Sequence, residues 1–121
     1  MATVLVTDDS VFTVESLEKI LVKAGHTVVA KAHDGSEAYE KYASFKPDLV
    51  TMDITMPDTD GLMAVRRIIK DFPEAKIIMI SARGRDNELF EALEMGALHY
   101  IFKPFLPDEI IQVVNKVLNN P

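Results

Sequence analysis

Two stretches, Val4-Leu5-Val6-Thr7-Asp8-Asp9 and Leu49-Val50-Thr51-Met52-Asp53, decide the fold. Each is a short, mostly non-alternating apolar run that empties into acid. Runs of this kind read as strands covered on both faces, which places them in a parallel sheet between helices. Two further runs behave alike: Ile77-Ile78-Met79-Ile80 ends at Ser81, and Tyr100-Ile101-Phe102 ends at Lys103-Pro104. Four strands therefore each stop at a polar residue suited to handling a phosphoryl group and a hard cation.

Working outward, strands are predicted at 3–7, 27–31, 48–52, 76–80 and 98–102, with helical spacing between them. Val14, Leu17, Leu21 and Ala24 form the stripe of the first helix, with Gly25 as its C-terminal stop. Ala38, Tyr42 and Phe45 mark the second, entered through Asp34-Gly35-Ser36 and closed before Pro47. Leu62, Val65, Ile68 and Ile69 mark the third, from Asp60-Gly61 to Phe72-Pro73. Leu89, Phe90, Leu93 and Met95 lie on the fourth, capped by Gly96. Ile110, Val113, Val114 and Val117 line the fifth, with Pro107 in its first turn, where a missing N–H costs little.

Five βα units with short connections predict a doubly wound α/β sandwich, and five strands are too few for a (β/α)₈ barrel. Right-handed crossovers bring every strand's polar end to one edge of the sheet. If the strand order is 2-1-3-4-5, that of flavodoxin-like sheets, the first and third strands flank the switch point where ligands bind, and Asp8, Asp9 and Asp53 would converge there.

The 121 residues are expected to form one domain spanning 1–121, long enough to bury a core unaided. Hydrophobic content of 48% with 26% charged residues is that of an ordinary globular chain. No apolar run approaches the ~18 residues of a membrane span, and no signal-peptide pattern opens the chain, so a cytoplasmic location is expected. Cysteine is absent, which excludes disulfides, thiolate metal sites and a cysteine nucleophile. A net charge of −6 argues against direct nucleic-acid binding. Arg66, Arg67 and Lys70 read as the wet face of a helix.

Clustered carboxylates raise each other's proton affinity unless a cation neutralises them. Oxygen-only donors favour Mg²⁺, or Mn²⁺, over zinc. A carboxylate can also act as a nucleophile and form an aspartyl-phosphate. That chemistry needs a cation for the remaining charge and donors for the phosphoryl oxygens, roles open to Lys103 and Ser81. Singly, each of these residues has a plainer reading: Asp9 as a helix cap, Lys103 as a surface lysine, Ser81 as a turn residue. Their meeting at one sheet edge is what favours the chemical one.

Asp8-Asp9, Met52-Asp53-Ile54-Thr55-Met56-Pro57, Asp60-Gly61, Ser81-Ala82, Gly96-Ala97 and Lys103-Pro104-Phe105 together resemble the receiver domain of two-component response regulators. The resemblance runs over essentially the whole chain and is nearest to the stand-alone, CheY-like chemotaxis regulators. It implies that Asp53 is the phosphoacceptor. It further implies that Asp8, Asp9, Asp53 and the backbone carbonyl of Thr55 hold Mg²⁺. Lys103 would pair with the phosphoryl group, and the Lys103-Pro104 bond would be cis. Ser81 would bond a phosphoryl oxygen and draw its loop inward, with Tyr100 moving into the vacated space. Thr55 and Arg83 occupy positions that tune acyl-phosphate lifetime in that family; Arg83 either reaches over the phosphoryl group or stays uninvolved. Thr7 stands where the family usually has a more apolar residue.

The same resemblance implies a signal transducer without an output domain rather than a turnover enzyme, one that catalyses its own phosphorylation and dephosphorylation. It would take its phosphoryl group from a histidine kinase or phosphotransfer protein. Its output would pass, as a monomer, through the face of helix four, strand five and helix five to another protein, such as a flagellar motor switch component. A phosphorelay intermediate and a receiver excised from a longer regulator share the same site and remain alternatives.

Adjacent helix positions are ~100° apart, so Leu89 and Phe90 cannot both face the core. Leu89 is expected to be the partly exposed one, either as a partner contact beside Tyr100 or as edge packing. His26, His33 and His99 are not spaced as metal ligands, and the methionines read as core filler. A haloacid-dehalogenase-type phosphatase would want a carboxylate where Thr55 stands, and a flavodoxin-like cofactor protein would want a hydroxyl- and glycine-rich loop in place of Asp8-Asp9-Ser10. No GxxxxGK[ST] nucleotide loop is present. A degenerate interaction module would have lost an acid or the lysine, and neither is missing.

Overall fold

Alternating strands and helices follow the predicted order. The computed structural model describes residues 1–54, 56 and 61–119. Its elements are β1 (Thr3–Thr7), α1 (Val11–Lys23), β2 (Thr27–Ala32), α2 (Gly35–Phe45), β3 (Leu49–Asp53), α3 (Gly61–Asp71), β4 (Ile77–Ala82), α4 (Asp86–Met95), β5 (His99–Lys103) and α5 (Pro107–Leu118). All strands are parallel in the order β2-β1-β3-β4-β5. The last three strands extend one or two residues beyond their predicted ends, so Asp53, Ser81 and Lys103 close or nearly close a strand rather than following one.

Side chains alternate across the sheet and supply two cores. Leu5, Val50, Met52, Ile77 and Met79 pack with α2, α3 and α4. Val4, Val6, Leu49, Ile78, Ile80 and Ile101 pack with α1 and α5. Because both faces are covered, the strands read as continuous apolar runs, and their polar ends are left at one edge.

Several helix readings need correction. Ala24 is the exposed C-cap of α1 rather than part of its stripe. The chain stops there because Gly25 takes φ +96° while its N–H and that of His26 reach back to the carbonyls of Val22 and Leu21. Phe45 is exposed at the end of α2, since Ala38 and Tyr42 already fill that helix's buried face. Met1 and Met63 are exposed, whereas Met52, Met56 and Met79 are core. The largest correction concerns α4: Leu89 is 5% exposed and packs in the core, while Phe90 is 64% exposed. The stripe of α4 runs through Leu89 and Ala92, which turns Phe90 outward.

Candidate phosphoryl and metal site

The edge formed by the ends of β1, β3 and β5 gathers charge. Asp8, Asp9 and Asp53 each bring a carboxylate oxygen within 4.8 Å of the others. Asp8 and Asp53 are buried, and Asp9 is exposed. Asp8 is aimed by local geometry: its Oδ1 accepts from the Ser10 N–H at 2.9 Å, and its own N–H donates to the Ala32 carbonyl at 3.1 Å. Ser10 rather than Asp9 caps α1, accepting from the Thr13 N–H. The capping role weighed for Asp9 thus falls to its neighbour.

Lys103 reaches across from β5. Its Nζ lies 2.8 Å from Asp8 Oδ2 and 3.6 Å from Asp53 Oδ1. Burial alone would lower the lysine's pKa; the Asp8 hydrogen bond and the charges of Asp53 and Asp8 outweigh it and hold the ammonium above its ordinary value. Apart from that ammonium, buried Asp8 Oδ2 has no partner among the described residues. Burying an anionic oxygen with so little company is costly unless positive charge compensates it. An all-oxygen, half-buried donor set in which one buried oxygen meets only an ammonium fits a hard divalent cation that keeps some of its waters. The Lys103-Pro104 bond is cis.

Ser81 lies one residue beyond Ile80, the register partner of Asp53. Its hydroxyl is buried and donates to the Ala82 carbonyl at 2.8 Å. Tyr100 is partly exposed on β5, two residues before Phe102, with the two rings edge to face at 5.3 Å. The structure thus brings Asp8, Asp9, Asp53 and Lys103 together and places Ser81 at the same edge. The expected carbonyl ligand, Thr55, lies outside the described residues, as do Pro57 and Asp60.

The sequence marks Gly61 as the start of a helix and, with Asp60, as part of the receiver resemblance, with no role assigned to it. Its N–H donates to the Ile54 carbonyl at 2.7 Å, and a Cβ there would overlap the Asp53 carbonyl oxygen. The helix start is pressed against the backbone that carries the central carboxylate. No local pattern signals such an approach, since the two segments meet only after folding.

Residues 4–115 match the family model of the response regulator receiver domain. The chain belongs to the response regulator receiver family. It is 46% identical over 114 residues to the chemotaxis protein CheY of Thermotoga maritima, covering 94% of this chain and 95% of that one. It is 45% identical to CheY of Bacillus subtilis, covering 96% and 97%. The CheX–CheY–BeF₃–Mg complex of Borrelia burgdorferi contains a chain that superposes with a TM-score of 0.91 at 39% identity, covering 95% of this receiver and 87% of that chain. The fold is that of CheY-like receivers, and an acidic pocket that binds Mg²⁺ is a property of such domains. No helix among the described residues is long and apolar enough to cross a membrane.

Proposed function

We propose that this receiver is a phosphorylation-activated transducer in which Asp53 accepts the phosphoryl group and Asp8 and Asp9 complete a Mg²⁺ site with it. The observation that carries this reading is the meeting of three carboxylates with the Lys103 ammonium set on two of them. An Asp53 oxygen would attack phosphorus while the phosphorus–nitrogen bond of a phosphohistidine donor breaks, its electron pair leaving with the imidazole. Lys103 would balance charge on the transferred group, and the Ser81 hydroxyl would give up Ala82 to donate to a phosphoryl oxygen. Bound Mg²⁺, or Mn²⁺ on the same oxygens, would supply the positive charge that phosphoryl transfer requires. Water later cleaves the acyl phosphate, so the domain handles its own phosphoryl group and turns over no separate substrate.

Chemotaxis is the pathway favoured by the two CheY relatives, with a histidine kinase upstream and a flagellar motor switch protein as the downstream candidate. Exposed Phe90 and partly exposed Tyr100 border one cleft between α4 and β5, which supplies apolar surface for such a partner. The test is incubation with Mg²⁺ and acetyl phosphate, followed by intact mass and hydroxylamine treatment. One Mg²⁺-dependent, hydroxylamine-labile phosphate, absent in Asp53→Asn, is expected. A stable adduct in that variant would move the acceptor elsewhere. Binding of the loaded form to a motor switch protein, rather than transfer to a histidine phosphotransfer protein, separates chemotaxis from a relay.

A further inference from the structure

Arg83 directly follows β4, and its charge lies over an aromatic ring. Its guanidinium carbon sits 4.7 Å from the centre of the Phe102 ring, inside the ~6 Å range of a cation–π contact. Phe102 is the register partner of Ser81 across β4 and β5, and it packs against the core beneath α4. Its ring meets that of Tyr100 edge to face. One guanidinium therefore ties the connection that follows Ser81 and Ala82 to the strand that carries Tyr100.

We propose that Arg83 is a positioning residue whose stacking on Phe102 holds the connection after β4 in the arrangement where the Ser81 hydroxyl is bonded to Ala82, and so opposes the phosphorylated form. This rests on the reading of Asp53 and Ser81 given above. For Ser81 to donate to a group on Asp53, its hydroxyl leaves the Ala82 carbonyl and the Ala82–Arg83 backbone follows. The half-buried Phe102 ring is held against the core on β5, so the contact is lost as the connection moves. A contact present in one state only biases the equilibrium by its full strength, and one present in both biases nothing. The alternative role for Arg83, reaching over the phosphoryl group, would not involve Phe102.

Beryllofluoride with Mg²⁺, titrated by calorimetry into the protein, stands in for the phosphoryl group. Arg83→Gln and Phe102→Leu are each expected to tighten binding by about two- to fivefold, the strength of an exposed cation–π contact. The double variant should gain no more than either single one, since both remove the same contact. Phe102→Leu retains the Arg83 charge, so a shift shared by both variants is not a charge effect; Phe102→Tyr keeps a ring and should behave as wild type. Equal affinities in all variants, a shift with Arg83→Gln alone, or weaker binding would each overturn the latch. A wild-type protein that takes up no beryllofluoride would instead overturn the assignment of Asp53, and the latch with it.

Discussion

Lys103 Nζ is closer to Asp8 Oδ2, at 2.8 Å, than to Asp53 Oδ1, at 3.6 Å. By resemblance this lysine is expected to pair with the incoming phosphoryl group; its nearer partner is Asp8, one of the carboxylates proposed to hold Mg²⁺. Lysine and a divalent cation then compete for Asp8, because each neutralises the same buried charge.

Lys103→Ala is accordingly expected to tighten Mg²⁺ binding, by up to about tenfold or ~1.4 kcal/mol. Calorimetric Mg²⁺ titration checks this. An affinity unchanged or weakened would mean that the ammonium and the cation do not share Asp8.

Asp9→Ala should weaken Mg²⁺ binding with little effect on stability, since Asp9 is exposed and Ser10 provides the cap of α1. Paired metal titrations and urea melts measure both. A large loss of stability would assign Asp9 a structural role instead.

The raised pKa of Lys103 has a definite consequence for stability. A proton held more tightly in the folded state contributes stability in full below the ordinary lysine value, about pH 10.4. That contribution is lost as pH rises through the raised folded value. In metal-free protein the stability advantage of wild type over Lys103→Met should therefore shrink as urea melts move into that alkaline range. A constant advantage would show that the Asp8 and Asp53 contacts do not hold the proton.

Gly61→Ala is expected to destabilise the fold by about 1–3 kcal/mol, because its Cβ would meet backbone at Asp53 and Ile54 rather than a side chain able to swing aside. The shift in denaturant midpoint measures it. Acetyl-phosphate labelling should fall as well, since the displaced backbone carries the acceptor. A variant as stable and as reactive as wild type would show that the two segments part without cost.

Leu89 and Phe90 should separate cleanly. Leu89→Ala removes a core side chain and should cost about 2–3 kcal/mol. Phe90→Ala should stay within about 0.5 kcal/mol of wild type while weakening binding of the phosphorylated form to its partner. Melts and partner titrations on both variants decide it, and a reversed pattern would restore the expectation drawn from the sequence.

Much of this protein was legible in its sequence by itself. The order 2-1-3-4-5, which entered as a premise, is the one observed; apolar runs emptying into Asp8-Asp9 and Asp53, separated by helical spacing, determined five parallel strands and the shared edge of their polar ends. Those features are local periodicities joined by right-handed crossovers, and both are written along the chain. The tertiary structure alone decided the rest. Whether Leu89 or Phe90 faces inward depends on how α4 is rolled against the sheet, a difference of under a third of a turn. Which carboxylate holds Lys103, how closely Gly61 approaches Asp53 and where Arg83 lies depend on distances between separate elements of the fold. Such distances are set by packing, because a close-packed interior fixes positions more finely than any pattern of residue types can.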